Sequence, residues 1–253
     1  MFDKEFWLNT KKANLFVNEE KQFFHNHANE ILSFKTNYKK KFIDALSEEI
    51  NITPRVKTES KNPCRGIKAN DLNKEIRILL RNSMSELREE VNQENGVYYY
   101  SNKEKKQVAG FDFAILNSMR NLHKLHDLCF GKLRYEDGNR RWSKFLKNNP
   151  DLLKYANSID LKKEKKNDDI PLILGEIQFG NWALAYRDFF KVLKANVQTS
   201  VDCLIYICPT GQLESMLSDG IVTFDKTKKI IKEFEKVISI PIWLIGIDLN
   251  VKK

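Results

Sequence analysis

Residues 170–179 read IPLILGEIQF, a nearly continuous apolar run that encloses one acidic side chain. A short apolar run with β-branched residues is typical of a strand that is buried on both faces. Glu176 and Gln178 stand two positions apart, so their side chains share one face of that strand. A carboxylate in such surroundings costs several kcal/mol to desolvate unless it is ion-paired or binds a metal. Glu-x-Gln is also common on strands that bind no metal, so the motif alone leaves both interpretations open.

The residues after this run alternate between helical and strand patterns. Residues 181–195 fit a helix with Asn181 as its cap, and residues 202–208 fit a second buried strand. A further helix is predicted from near Asp225, and residues 240–249 fit a final strand. Strand, helix, strand, helix and strand in succession predict an α/β unit with a parallel component.

The residues before the run are strongly charged. SIDL at 158–161 is a short strand candidate, and the charged run KKEKKNDD at 162–169 follows it. A charge run of this kind is usually the solvated tip of a hairpin. If the two strands form that hairpin, Asp160 faces Glu176, and the two carboxylates together suit a Mg²⁺ ion.

Up to about residue 155 the pattern is mostly helical. Apolar positions at helical spacing predict helices within 14–49, over 70–91 and over 115–130. Residues 98–100 and 110–117 fit either a strand or a buried helix.

The composition limits the classes of function. The chain has 253 residues, 42% of them hydrophobic, which is enough for a sizeable core and excludes a mostly disordered chain. The formal net charge of +9 favours a polyanionic partner, either nucleic acid or an acidic membrane surface. No apolar run approaches the length of a membrane span, and the N-terminus lacks the apolar segment of a signal peptide. The four cysteines form no CxxC pair, so reduced thiols and the cytoplasm are the default expectation.

Residues 172–249 resemble the C-terminal catalytic half of the type II restriction endonucleases of the BglII and BstYI group. The likeness begins with E-(I/V)-Q-F-(G/S)-N, here EIQFGN at 176–181. It continues through an aromatic-rich helix, a strand, an S-x-G-I segment, a helix and a closing P-I-x-L-(I/V)-G. It covers about 80 residues in the same order and with similar spacing. The first half resembles the group much less clearly, and only residues 71–74 indicate a shared early helix.

The resemblance implies an α/β fold of the PD-(D/E)xK nuclease type, with a restriction-endonuclease-like mixed sheet core flanked by helices. It assigns the catalytic core to residues 156–253. Residues 1–155 are then a mostly helical part that packs on the core and dimerises or embraces the DNA. The resemblance also implies a Mg²⁺-dependent homodimer that cuts both strands of a palindrome and leaves 5′-phosphate and 3′-hydroxyl ends.

In this family an Asp and a Glu hold the divalent metal, helped by a main-chain carbonyl. The matching groups here are Asp160, Glu176 and the carbonyl of Ile177. Gln178 matches the Gln that this subgroup has in place of the usual Lys, and it completes the implied catalytic set. Its amide can orient the attacking water but adds no positive charge, so the metal must do most of the work of activating that water.

One position departs from the family pattern. The related enzymes place the metal-binding Asp nine residues before the Glu, where this chain has Asn167. Asp160 lies sixteen residues before Glu176 and fits if the hairpin is longer. Asp168 and Asp169 are the alternatives. If none of them reaches the metal, the protein is an inactive relative.

Base recognition is expected from the loops that flank the core. By the resemblance, Asn181 stands where the family has a residue near the base edges, and Ser218 and Asp219 match a second recognition loop. Asn can bridge adenine bidentately, and Asp can accept from the cytosine amino group. Asp219 precedes Gly220 and is equally well explained as a turn residue. Contacts with phosphates are expected from the basic residues at 139–144, 162–166 and 191–194.

These patterns favour a Mg²⁺-dependent type II restriction endonuclease that cuts double-stranded DNA at a short palindrome, GATC-centred if the family pattern holds. Its protective partner would be a cognate DNA methyltransferase. Two alternatives keep the same fold: a structure-specific nuclease of repair or recombination, and a catalytically silent DNA-binding protein.

Two other patterns could indicate either a functional site or ordinary packing of the core. His123, His126 and Cys129 line one helical face and suit a soft metal, but no fourth ligand is near, so a packed helix face is favoured. The tyrosines at 98–100 suit base stacking, but a strand packed on the core is favoured.

Overall fold

The computed structural model describes residues 3–34, 36–58, 63–101, 110–132, 135–156 and 170–251. The strands are β1 (Lys12–His25), β2 (Glu49–Asn51), β3 (Pro54–Lys57), β4 (Cys64–Ile67), β5 (Leu87–Glu94), β6 (Val97–Tyr99), β7 (Phe111–Ile115), β8 (Ile173–Ile177), β9 (Cys203–Pro209) and β10 (Ile242–Asn250). The helices are α1 (Lys4–Asn9), α2 (Ala28–Ser33), α3 (Tyr38–Ala45), α4 (Ala69–Ser83), α5 (Ser118–Phe130), α6 (Gly138–Asn148), α7 (Leu153–Ala156), α8 (Leu184–Gln198), α9 (Gly211–Met216) and α10 (Phe224–Glu233). Pro150–Leu152 form a short 3₁₀ turn.

The described residues pack as two units. Unit 1 is drawn from Met1–Ser85, Glu176–Leu193 and Cys203–Lys253, and unit 2 from Glu86–Gly175 and Lys194–Asp202. The chain passes from unit 2 into unit 1 within β8 and returns within α8. Residues before 155 therefore contribute to both units.

Unit 1 is built on a mixed sheet with the strand order β2-β1-β10-β9. β1 is antiparallel to β2 and β10, whereas β10 and β9 are parallel. All seven residues of β9 are buried. Helix α4 is amphipathic and buries Leu72, Ile76 and Leu80, which lie one turn apart on a single face. The expected α/β class, a mixed sheet core flanked by helices, is confirmed.

Unit 2 contains antiparallel strands only among its described pairings. β7 pairs with β5 and with the start of β8, and β6 pairs with β5. Helix α5 begins after Asn117, whose side chain accepts hydrogen bonds from two main-chain N–H groups of the first turn. It buries Leu122 and Leu125 against this unit.

The helical expectation for residues 14–49 is wrong at its start, because β1 occupies Lys12–His25. Ala13, Leu15 and Val17 are buried in alternation with more exposed residues, which is the period of a strand. A ladder to β10, more than two hundred positions away in the chain, holds this stretch extended. The later part of the range does contain helices α2 and α3.

The helix expected over 70–91 ends earlier than its pattern indicates. α4 stops at Ser83, Met84 is extended with φ −139° and ψ 106°, and β5 begins at Leu87. The two stretches left open between strand and helix are the strands β6 and β7. The helix expected over 115–130 is confirmed as α5.

The elements expected after residue 170 are confirmed as β8, α8, β9, α10 and β10. Helix α9 was not expected, since its six residues carry too little pattern to stand out. The strand candidate at 158–161 lies outside the described residues.

Packing favours the ordinary interpretation both for the face with His126 and Cys129 and for the tyrosines at 98–100. The ring of His126 lies edge-on to Trp142 with a centroid distance of 5.4 Å, and Cys129 is buried, so this is a packed helix face. Tyr98 and Tyr100 are 3% and 5% exposed, so they belong to the core.

None of the four cysteines forms a disulfide. Within the described parts of the chain, every helix falls short of the length and apolar character that a bilayer span demands.

Gly175 on β8 leaves no room for a side chain, because a Cβ atom there would overlap the ring of Phe113 on β7. Gly175→Ala is expected to lower the free energy of unfolding by about 1–3 kcal/mol, the usual cost of overpacking a core. Urea unfolding followed by tryptophan fluorescence measures the loss. In a Phe113→Leu background the same change should cost less. An unchanged stability of the single variant would contradict the pairing of β7 with β8.

Candidate active site

Glu176 lies inside unit 1 with its side chain 4% exposed. Its Oε1 atom is 2.5 Å from Nζ of Lys191, which α8 supplies and which is 22% exposed. The same Nζ atom is 3.6 Å from Oδ1 of Asp188. One ammonium group thus stands between two buried carboxylates, which offsets part of the cost of desolvating them.

Gln178 is fixed on the same side of the chain as Glu176. Its side-chain Nε2 donates to Oδ2 of Asp188 at 2.9 Å, and its Oε1 accepts from the N–H of Gly180 at 2.9 Å. Since a main-chain N–H can only donate and a carboxylate can only accept, these partners define which way the amide faces. The main-chain N–H of Gln178 donates to the carbonyl of Ile207 on β9 at 2.9 Å.

Asp188 is the acceptor that sets this arrangement, and it is fully buried. The hydroxyl of Tyr206 donates to the same Oδ2 atom at 3.2 Å. Burial raises the pKa of Tyr206 well above its ordinary value, and the Asp188 carboxylate raises it further. The hydroxyl therefore stays protonated and serves Asp188 as a donor.

The carbonyl of Ile177, between the two motif side chains, faces helix α4. It accepts from Nδ2 of Asn73 at 3.2 Å, and Oδ1 of Asn73 accepts from Nε of Arg77 at 2.6 Å. The sequence pattern includes Asn73 only in the likeness at 71–74 and assigns it no role. The structure adds it to the residues that touch the motif.

The two stretches expected to read bases lie side by side. Asn181 and Ile221 form an isolated antiparallel bridge. The N–H of Trp182 donates to the carbonyl of Gly220 at 3.0 Å within this bridge. The chain thus leads from the buried motif at 176–178 directly into a paired loop.

The side chains of these loops are accessible and ordered. Asn181 is exposed, and its Oδ1 accepts from the N–H of Ala183 at 2.9 Å. Oγ of Ser218 accepts from Nη2 of Arg55 at 3.0 Å. The side chain of Asp219 is 83% exposed. These loop side chains are exposed, whereas Glu176 and Gln178 are buried.

Asp160, the metal ligand expected from the resemblance, lies outside the described residues, as do Asp168 and Asp169. In the part of the chain that the structure describes, no three His, Cys, Asp or Glu side chains are grouped so that they could hold a metal ion. Glu176 and the Ile177 carbonyl are the described members of the expected ligand set.

The basic groups expected to contact phosphates have different surroundings. Residues 162–166 lie outside the described residues. Lys191 is engaged by Glu176 at 2.5 Å, whereas Lys194 is exposed. Arg140 is 83% exposed and Arg141 is 29% exposed, and both pair with Asp137, at 2.9 Å and 2.7 Å.

Sequence reasoning did not place Asp188, Lys191 or Tyr206 beside the motif, and it expected Lys191 only among the residues that contact phosphates. The first two stand three positions apart in the apolar stretch AYRDFFKVL, so they share one face of a helix. Charged residues among apolar neighbours are the same signal that singled out Glu176. Tyr206 sits in an apolar strand and carries no comparable signal.

The mixed α/β sheet and the buried Glu-x-Gln motif are the two features that the sequence resemblance predicts for a restriction endonuclease. The family model described as restriction endonuclease BglII/BglIII matches residues 21–247 of the chain. The chain therefore belongs to the BglII/BglIII restriction endonuclease family, as the sequence resemblance predicted.

Two solved structures are similar to the chain at low identity. The crystal structure of restriction endonuclease BglII complexed with a DNA 16-mer has a TM-score of 0.46 and 14% identity, over 89% of this chain and 74% of that one. The structure of free BglII has a TM-score of 0.39 and 12% identity, over 89% of this chain and 76% of that one. No curated protein sequence matches the chain significantly.

Replacing Asp188 by Ala tests the network around Gln178. The change removes the acceptor of two buried donors, so the free energy of unfolding is expected to fall by about 3 kcal/mol. Tyr206→Phe is the matched control: it removes a single hydrogen bond and should cost about 1 kcal/mol. Both values come from urea unfolding. Equal losses in the two variants would contradict the central position of Asp188.

Proposed function

We propose that this chain is a Mg²⁺-dependent type II restriction endonuclease that hydrolyses phosphodiester bonds of double-stranded DNA at a short palindrome. Family membership supports the class. The observation that carries the proposal is the burial of Glu176 and Gln178 beside the exposed loops with Asn181, Ser218 and Asp219. Hydrolysis would use the Glu176 carboxylate to hold the metal, base recognition would use the exposed polar groups of the loops, and the two lie next to each other.

The described oxygen donors suit a hard divalent cation. Glu176 supplies a buried carboxylate and Ile177 a main-chain carbonyl, and Mg²⁺ prefers oxygen ligands. The 2.5 Å contact with Lys191 indicates that a positive charge can reach this carboxylate. A second carboxylate would come from Asp160 or from one of its two alternatives. When bound, Mg²⁺ lowers the pKa of a water molecule and offsets the negative charge that develops on the phosphate.

The protein side chains divide the remaining tasks. Asp188 and Gly180 hold the amide of Gln178 in one orientation, which leaves one N–H and one lone pair of that amide for the attacking water. Gln178 brings no positive charge to the site. Before the metal binds, Lys191 of helix α8 is the positive group next to the motif, at 2.5 Å from Glu176.

The loops beside the motif would read the DNA. Asn181 would bridge an adenine, and Asp219 would accept from a base amino group, with Ser218 beside it. Exposed basic residues such as Lys194 would contact phosphates and make the affinity fall steeply with salt.

We assign the catalytic core to residues 156–253 and contacts around the DNA or at the dimer to residues 1–155. The recognition site is GATC-centred if the family pattern holds. The enzyme would act on DNA in the cytoplasm, with a cognate methyltransferase that protects the same sequence.

An exposed apolar stripe in unit 1 supports a homodimer. Trp182 and Phe190 are 46% and 72% exposed, and Phe234 and Val237 are 42% and 62% exposed. Tyr186 connects Trp182 with Phe234, at ring-centroid distances of 5.9 and 6.2 Å, and Phe190 follows Tyr186 by one turn of α8. Contiguous exposed apolar residues mark protein interfaces. A twofold dimer would also present one catalytic centre to each strand of a palindrome.

The alternative is a catalytically silent or structure-specific DNA-binding protein of the same fold. Incubation of the purified protein with plasmid DNA and Mg²⁺ distinguishes the three cases. Discrete fragments support the proposal, retarded but intact DNA supports a silent binder, and scattered nicks support a structure-specific nuclease.

Glu176→Ala is expected to abolish cleavage, a loss larger than the roughly 100-fold cost of removing an outer-sphere partner of a metal. Sequence-specific binding in Ca²⁺, measured by gel retardation, should persist because the loops are untouched. Glu176→Gln is the matched variant, since it keeps the volume of the side chain beside Lys191. Normal cleavage by either variant would contradict the site. Asp160→Ala should likewise abolish cleavage and keep binding. If this variant cuts normally, the second ligand is Asp168 or Asp169.

Phe190→Asp is expected to convert the dimer to a monomer, because it places a charge in the apolar stripe. Light scattering coupled to size-exclusion chromatography measures the mass. Phe34→Asp is the control, since Phe34 is 68% exposed but lies outside the stripe. A monomeric wild type, or a Phe190→Asp variant that remains dimeric, would contradict the assignment of this surface.

A further inference from the structure

Lys57, the last residue of β3, is a buried lysine with its side chain 7% exposed. Its Nζ atom donates to the carbonyl oxygens of Ser215 at 3.1 Å and Leu217 at 2.6 Å. It also donates to Oδ1 of Asp219 at 3.2 Å. An ammonium group has three N–H donors, so these three acceptors use all of them. A buried charge usually contributes no more stability than an apolar side chain of the same size. The contacts of this ammonium group therefore point to a role other than stability.

The segment that Lys57 binds is held at both ends by opposite charges. At the start of α9, the carboxylate of Asp248 accepts from the N–H groups of Gln212 at 3.1 Å and Leu213 at 2.7 Å. At the other end, Lys57 binds carbonyl groups in and just after the last turn. This placement matches the direction of the helix dipole. The segment is therefore positioned from two sides before it reaches the recognition loop.

Both residues of that loop are contacted from one face of β3. Arg55 donates to Oγ of Ser218 at 3.0 Å, and Lys57, two positions later, binds Asp219. Residues two apart share a face of a strand. Ser218 and Asp219 line an open cleft of about 710 Å³. Gly220 follows with φ +74°, a left-handed conformation that turns the chain into the bridge with the neighbouring loop.

We propose that Lys57 is a positioning residue for base recognition by Asp219. Lys57 occupies Oδ1 and so fixes the carboxylate, which leaves Oδ2 to accept from the amino group of a cytosine or adenine in the major groove. The inference rests on the proposed function and states how one residue of the loop selects its base. Because an ammonium can only donate, Lys57 also dictates the orientation of an amide placed at this position.

Asp219→Asn tests this orientation directly, and the side chain is exposed enough for the variant to fold. The amide oxygen must face Lys57, so the amide NH₂ faces outward and donates. At one base pair of the site, the preference should change from an amino-bearing base to a carbonyl-bearing one, guanine or thymine. The expected discrimination is roughly 5- to 150-fold. Sequencing of the ends cut from a DNA library with randomised sites measures it.

Lys57→Met, alone and combined with Asp219→Asn, provides the control. Without Lys57 the amide can face either way, so the double variant should lose the new preference, and Lys57→Met alone should relax selection at the same base pair only. A thermal melt reports whether the Lys57→Met variants fold. If they do not fold, the base preference of Asp219→Asn alone tests the inference.

Two results would overturn the inference while the proposed function stands. One is an Asp219→Asn enzyme that loses discrimination at its base pair without gaining a new preference. The other is a folded Lys57→Met enzyme with the wild-type site spectrum, or with uniformly slower cutting at that same spectrum, as a merely structural role would give. A wild type that cuts at no defined sequence would overturn the proposed function together with this inference.

Discussion

The contact between Glu176 and Lys191 is the interaction on which the rest of the site depends. A carboxylate that is almost fully buried in an apolar strand needs a positive partner, and Lys191 provides it at 2.5 Å. The same ammonium approaches Asp188, which in turn holds the amide of Gln178. One charge pair thereby ties helix α8 to strand β8 and fixes both polar residues of the motif. An apolar residue in place of Lys191 would remove the ammonium group from the buried Glu176 carboxylate, whereas Asp188 would keep Arg187 at 3.1 Å.

In the proposed function, the residues for catalysis and those for base recognition are separated by only a few residues of chain. The motif is enclosed, while Asn181 emerges from the sheet and pairs with the loop around Ile221. The loop is in turn fixed by side chains from β3, far away in the sequence. Hydrogen bonds from Val222 to the carbonyl of Gly180 and from the N–H of Gly180 to Gln178 connect this loop with the motif. The excess positive charge of the chain would bind phosphates in general, whereas selection would rest on these few polar groups.

The second half of the chain could be predicted because its apolar runs are short, bounded and clearly separated. β1 could not be predicted, since over a short stretch its apolar positions fit both the period of a helix and that of a strand. The antiparallel ladder to β10 decides that this stretch is a strand. Glu176 and Gln178 stood out as polar residues in an apolar run. Asn73 and Lys57 could not be singled out, because each contacts residues more than one hundred positions away in the sequence. Only the folded chain brings these partners together. Asp188 and Lys191 carried a readable signal, a charged pair on an apolar helix face.

The proposed metal centre on β8 is tested most directly by diffraction from crystals of the protein with duplex DNA and Mn²⁺, recorded at the manganese absorption edge. The predicted result is an anomalous peak within coordinating distance of the Glu176 carboxylate, with Lys191 moved away from its 2.5 Å contact. A peak at another site, or a Glu176 still paired with Lys191 at saturating Mn²⁺, would contradict the assignment of hydrolysis to this strand.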